Sequence, residues 1–299
     1  AGINCDMETQ YALELAGAET SRIHINRVIE DKSSLEGFQI IVFPGGFSYG
    51  DDVSAGKILA NQTVHHLSAA LRKFIEDGKL VLGICNGFQV LVKAGILPGF
   101  DKNLAIEDTE SFKSEIRNTK SETNSNDQNS KYKTNHKTQD PNHKQRATSD
   151  EPRTTNPVTI TNNDSGRFED RWVYLAPQTK KCVFIEQDRQ IYLPIAHGEG
   201  KVVTKDAATL DKLKSDGHIA FKYVDENGGE GPFPINPNGS TASIAGLADT
   251  TGRVLGLMPH PERFVRPTQH PRWCRLKDKV DADGMTIFNN AVKYVREKF

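Results

Sequence analysis

The chain has 299 residues, with 38 Lys and Arg against 39 Asp and Glu. That balance excludes a nucleic-acid binder held by phosphate contacts, and no apolar run approaches the roughly 18 residues of a membrane helix. The opening Ala1-Gly2-Ile3-Asn4-Cys5-Asp6 does not read as a secretory signal.

Met7, Tyr11 and Leu15 recur every four residues before Gly17, which predicts a helix over Asp6 to Ala16 with Asp6 near its N-cap. Ser21 to Ile25 reads as a short strand. Phe38 to Phe43 reads as a buried strand ending in Pro44-Gly45-Gly46. Ala60, Val64, Leu67, Leu71 and Phe74 mark one face of a long helix stopped by Gly78. Lys79 to Ile84 is another apolar strand, and a short helix follows Cys85. The second half is richer in strands: Trp172 to Leu175, Cys182 to Glu186, Gln190 to Ala196, Ser243 to Ala248 and Arg253 to Met258. A last helix covers about Asp283 to Lys298. Alternating strands and helices predict an α/β fold with a doubly wound, mostly parallel sheet and added antiparallel strands in the second half.

The hydrophobic share, 36%, is lean for this length, and the leanness is local. Residues 108–152 hold only Phe112, Ile116, Tyr132 and Ala147 from the hydrophobic set, with eight basic and eight acidic residues. Such a segment cannot bury enough surface to offset its ordering entropy, so it is expected to be a disordered insertion. A long surface loop that binds a partner is the alternative. Outside it the hydrophobic share rises to about 41%, the composition of one globular domain spanning 1–299 around the insertion. Only Ala1 to Cys5 precede the first helix, whereas a doubly wound sheet opens with a strand that lies inside the sheet. The expectation is a native chain that begins upstream of Ala1.

Gly83-Ile84-Cys85-Asn86-Gly87 sits between a buried strand and a helix, the G-x-[nucleophile]-x-G elbow with Cys in place of Ser. The helix dipole favours a thiolate there, and the Asn86 backbone N–H points to the same place. On the elbow alone, a catalytic thiol and a buried cysteine filling a strand end stand level. Cys5, Cys182 and Cys274 lie far apart without a C-x-x-C, which argues against zinc or disulfides and for a reducing cytoplasm.

A cysteine nucleophile needs a positioned base. His260 follows an apolar strand in Met258-Pro259-His260-Pro261-Glu262-Arg263. Pro261 pushes His260 into extended backbone, where residues i and i+2 share a side, so Glu262 can orient the imidazole. His197, in Ala196-His197-Gly198-Glu199-Gly200, reads as lining the site. Pro44-Gly45-Gly46 can supply a second oxyanion N–H. The Gly50 to Gly56 spacing, with Ile58 in place of Ser or Thr, breaks a phosphate-loop reading. Asp51 and Asp52 read as solvated loop acids, and no metal site is expected.

Pro-Gly-Gly, then Gly-x-Cys-x-Gly-x-Gln, then a late Pro-His-Pro-Glu resembles the class I, triad-type glutamine amidotransferases. PGGFSYGDDVSAGKIL (44–59), GICNGFQVLVKAGIL (83–97), NDSGRFEDRW (163–172), AHGEGK (196–201) and MPHPER (258–263) are similar to the glutaminase subunits of phosphoribosylformylglycinamidine synthases, as is Gly2 to Asp6. The resemblance implies glutamine hydrolysis in the cytoplasm, with ammonia passed to a synthetase subunit that amidates formylglycinamide ribonucleotide in purine synthesis. A small accessory subunit would accompany that pair. ATP and magnesium would bind the synthetase, leaving this chain without a cofactor. Carried over by motif, Cys85 is the nucleophile, His260 the base and acid, and Glu262 its orienter. Gly46 and Asn86 supply oxyanion N–H groups, Gln89 contacts glutamine, and Asn163, Ser165 and Phe168 hold its amino-acid end. Two other readings compete: a cysteine hydrolase cleaving peptide or γ-glutamyl bonds, and a non-catalytic binding subunit.

Overall fold

A computed structural model describes residues 3–47, 57–99, 156–276 and 281–299. The expected insertion at 108–152, Asp51-Asp52 and the Gly50 to Gly56 spacing lie outside the described residues. The helices are α1 (Asp6–Leu15), α2 (Ile25–Glu30), α3 (Lys57–Gln62), α4 (Ser68–Glu76), α5 (Asn86–Lys93), α6 (Ala207–Ser215) and α7 (Gly284–Lys298). The strands are β1 (Ile40–Phe43), β2 (Leu80–Ile84), β3 (Val158–Asn162), β4 (Glu169–Pro177), β5 (Ile191–His197), β6 (Glu199–Thr204), β7 (Ile219–Val224), β8 (Ile244–Ala248) and β9 (Val254–Leu257).

Among the described residues seven strands form one mixed sheet in the order β1-β2-β9-β8-β7-β4-β5, and β3 pairs with β6 apart from it. The β1–β2 and β2–β9 pairs are parallel; the other four in the large sheet are antiparallel. The fold is α/β as expected, and the antiparallel addition takes a larger share of the described sheet than the sequence suggests. All five residues of β2 are buried, as befits a parallel strand covered on both faces. Helix α5 covers one stretch with Phe88, Val90, Leu91 and Val92, while α7 turns Ile287, Phe288, Ala291 and Val292 inward.

Several local expectations fail for identifiable reasons. Helix α1 forms, but Met7 and Leu15 are exposed, and Thr9 and Ala12 are its buried residues. It packs on α7 and the Pro261–Arg263 turn, a close approach that suits small side chains. No strand forms at Ser21 to Ile25. A cavity of about 750 Å³ lies between residues 18–25 and 38–44, so among the described residues that segment has no ladder to join. Ile23, Val28, Ile41 and Leu71 are among its lining residues, and β1 is the outermost strand on that side. Within Cys182 to Glu186, Cys182, Phe184 and Ile185 are buried but the chain is turned, with Ile185 N–H bonding Cys182 O at 3.2 Å; burial there comes without extension. The long helix expected through Phe74 is interrupted by a π-helical turn over Thr63–Leu67.

The topology places the chemistry. Strands β2 and β9 are parallel neighbours, so their C-terminal ends lie side by side. Cys85 follows the first and His260 the second. In open α/β sheets this carboxyl end is where ligands bind.

Candidate active site

Cys85 joins β2 to α5 with φ 49° and ψ −104°. A positive φ is unfavourable for any side chain bearing a Cβ, and such strain, on the order of 1–3 kcal/mol, persists only where the surroundings enforce it. Here they do. The Cys85 N–H donates to Leu257 O at 2.8 Å, and its carbonyl accepts from Gln89 N–H at 3.1 Å, starting the helix. A side chain at Gly83 would meet Gly87 O at 2.8 Å, and one at Gly87 would collide with Phe43 O. The two glycines are therefore required by close packing of backbone on backbone. The elbow expected from the sequence is present, with Asn86 as the first residue of α5 and its N–H in the opening turn.

His260 has extended backbone, φ −105° and ψ 91°, before the 3-10 turn Pro261–Arg263. Its Nδ1 lies 2.6 Å from Glu262 Oε1, and both residues are 1% exposed. Burial alone would disfavour the imidazolium. The Glu262 carboxylate and the Cys85 side chain overcome that, and His260 is held well above its ordinary pKa. Cys85 and His260 meet on one side of Gly45. A Cβ at that position would lie 2.6 Å from His260 Cε1 and 3.4 Å from Cys85 Cβ. A strained cysteine, an imidazole favoured as its cation, and a carboxylate on the far nitrogen thus converge from two strand ends 175 residues apart.

The sequence model of the CobB/CobQ-like glutamine amidotransferase domain matches residues 1–136 and 144–295. The chain belongs to this family. It is 42% identical over 298 residues to phosphoribosylformylglycinamidine synthase subunit PurQ of Dehalococcoides mccartyi, covering 99% of this chain and 95% of that one. It is 36% identical over 307 residues to the same subunit of Methanococcus maripaludis, covering 98% and 94%. A chain in the structure of PurLQS from Thermotoga maritima aligns with a TM-score of 0.61 at 26% identity, over 98% of this chain and 94% of that chain.

In this glutamine amidotransferase the remaining motif residues fall into two groups. The first holds Gly46, in the loop after β1 and next to Gly45, and Gln89, in the first turn of α5. Gly46 has φ 106°, and a side chain there would collide with the Asn4 amide oxygen. Gln89 is 2% exposed; it donates to Glu199 O at 2.5 Å and accepts from the Asn86 amide at 3.3 Å. Glu199 also pairs with Lys93 at 3.9 Å.

The second group is the 163–168 segment. Asn163 is 3% exposed, and its amide is taken up by the chain. Nδ2 donates to Arg167 O and His197 O, and Oδ1 accepts from Gly200 N–H at 3.1 Å. Asn163 thereby ties the segment to the β5–β6 turn and offers no spare donor to a ligand. Ser165 and Phe168 are exposed, and Arg167 N–H donates to Ser165 Oγ at 3.3 Å.

His197 lines the site, as its sequence surroundings suggest. Burial, with the neighbouring charge of His260 second, pushes its pKa down to about 3, so it stays neutral. Asn163 Oδ1 is 3.1 Å from its Nδ1. A neutral imidazole with that low a proton affinity is a poor base at ordinary pH.

Asn4 and Cys5, which carry no role in the motif reading, also reach the site. Cys5 Sγ, a His260 ring nitrogen and a Glu262 oxygen all lie within 4.8 Å of one another. A soft divalent cation could use such donors. The Arg263 guanidinium, 3.2 Å from that sulfur, already sets a positive charge against it. Cys5 and Arg263 are 258 positions apart, so no local spacing could have paired them.

Proposed function

We propose that this chain is the glutaminase subunit of a phosphoribosylformylglycinamidine synthase, hydrolysing glutamine through Cys85, His260 and Glu262. The ammonia goes to a synthetase subunit that converts formylglycinamide ribonucleotide to formylglycinamidine ribonucleotide in purine synthesis. The observation that carries the chemistry is the strained Cys85 facing a buried His260–Glu262 pair at the carboxyl ends of adjacent parallel strands. The likeness to PurQ chains over nearly the whole length supports the substrate and the partner.

The steps follow from the charges. The raised proton affinity of His260 favours an imidazolium beside the Cys85 sulfur, whose attacking form is the thiolate. The thiolate attacks the side-chain amide carbon of glutamine, and the oxyanion is received by the Gly46 and Asn86 N–H groups. His260 gives its proton to the leaving nitrogen; the C–N bond breaks, leaving ammonia and a glutamyl thioester. Neutral His260 then takes a proton from water, the hydroxide adds to the thioester, and collapse expels the thiolate and glutamate. Glu262 holds the ring through Nδ1 and stabilises both charged stages. Gln89, Ser165 and Phe168 contact the substrate, and Asn163 shapes the segment that carries the last two.

ATP and magnesium belong on the synthetase, because this sequence carries no phosphate-loop pattern. The partners are that synthetase and a small accessory subunit, and the compartment is the cytoplasm. Among the described residues no helix is long and apolar enough to cross a membrane.

The test is ammonia release from glutamine, measured with and without the synthetase. The expected result is turnover that rises on complex formation. Rapid peptide cleavage with no glutamine turnover in the complex would replace this reading with a peptidase.

A further inference from the structure

The dipeptide before α1 touches both halves of the site. The Asn4 amide oxygen accepts the Phe47 N–H at 3.0 Å and fills the space where a side chain at Gly46 would begin. The Cys5 N–H donates to Gly45 O at 3.3 Å. Successive residues therefore grip Gly45-Gly46-Phe47 from one side, while His260 and Cys85 pack on Gly45 from the other. Cys5 Sγ, 1% exposed, accepts from the Arg263 guanidinium at 3.2 Å, and Arg263 adjoins Glu262 in the same turn.

Such a grip is needed. Glu262 Oε2 is buried with no hydrogen-bond partner among the described residues, so among them the carboxylate is anchored through its other oxygen. The 45–47 loop must also present a donor to within a few tenths of an ångström of where the oxyanion forms, since a misplacement of about 1 Å costs about 100-fold in rate.

We infer that Asn4 and Cys5 form a positioning strap, in which Asn4 aims the Gly46 N–H at the oxyanion and Cys5, through Arg263, sets the turn that carries Glu262. The Asn4 side chain acts through the loop it holds, whereas Cys5 acts through Arg263 and also lies beside the His260 ring. The inference rests on the glutaminase reading above. It accounts for two features that reading leaves unused, a polar contact across the oxyanion loop and a second buried thiol beside the base.

The test is steady-state glutamine hydrolysis by the full chain in complex with the synthetase, with kcat and KM determined separately. Asn4→Ala is expected to lower kcat about 30-fold with KM within about twofold of the parent, the pattern of a group felt only in the transition state. Asn4→Asp keeps the acceptor and is expected to hold kcat within about threefold of the parent. Cys5→Ala is expected to move the acidic limb of the kcat/KM pH profile, because it loosens Arg263 beside Glu262, while Cys5→Ser restores the parental limb. If Asn4→Ala does not fold, Asn4→Leu, which withdraws the acceptor and keeps the side chain's bulk, takes its place. Asn4→Ala at parental kcat, Asn4→Asp as slow as Asn4→Ala, or an unmoved pH profile in Cys5→Ala would each overturn the strap. A parent complex with no glutamine turnover would instead overturn the glutaminase reading, and the strap with it.

Discussion

The elbow at Gly83–Gly87 and the segment at Asn163–Phe168 are built on opposite terms. In the first, Cys85 is 5% exposed, its backbone is strained, and glycines on both sides let neighbouring chain pack tightly. In the second, Phe168 is 54% exposed, and the one buried polar side chain, Asn163, is saturated by its own chain. Bond-making needs atoms held in one arrangement, which only dense surroundings supply. Holding the far end of a small zwitterion tolerates exposed groups anchored at one point. Disturbing the first region should therefore cost turnover, and disturbing the second should cost affinity.

The largest effect is expected from His260. His260→Asn removes the proton carrier in both halves of the reaction, and kcat should fall about 1,000-fold or more with KM little changed. A loss confined to KM would place His260 with the recognition residues. Next comes Gly46→Ala, where φ 106° and the Asn4 contact make any side chain strained. Steady-state kinetics should show kcat lower by about 100-fold through a displaced oxyanion donor. Phe168→Ala should do the reverse, raising KM about fivefold with kcat unchanged, since an exposed apolar contact contributes about 1 kcal/mol to binding. A large kcat defect there would collapse the distinction between the two regions.

A separate effect is on stability rather than on kinetics. His197 is buried and neutral, with its pKa pushed down to about 3. Between that value and the ordinary imidazole range the unfolded chain binds a proton that the folded chain refuses. Stability should then fall as pH drops through this window, by about 1.4 kcal/mol per pH unit for one group. Urea midpoints measured across the window should show that slope in the parent and a shallower one in His197→Gln.

Much of the first region was legible as sequence because its constraints are local. Gly-x-Cys-x-Gly encodes its own turn, and His-Pro-Glu encodes an extended histidine with a carboxylate on the same side. Strands β2 and β9 and helix α7 announce themselves by apolar runs and period. What was not legible depends on distant partners. Cys182, Phe184 and Ile185 are apolar because they are buried, not because the chain is extended, and burial pushes the Cys182 thiol up to about 12. The Ser21 to Ile25 strand fails for want of a neighbour. Strands β3, β6 and β7 and helix α6 went unread, although Asp206 caps α6 through the Thr209 N–H at 2.8 Å. Cys5 sits against Arg263 through folding alone.

The central claim is that Cys85 opens glutamine and that the nitrogen then leaves for another subunit. The most direct measurement is formation of formylglycinamidine ribonucleotide by the complex of parent or Cys85→Ala chain with the synthetase, supplied with either glutamine or ammonium salt. The account predicts that Cys85→Ala abolishes product formation from glutamine and leaves product formation from ammonium at the parental rate. Glutamine-dependent synthesis persisting in Cys85→Ala would contradict it.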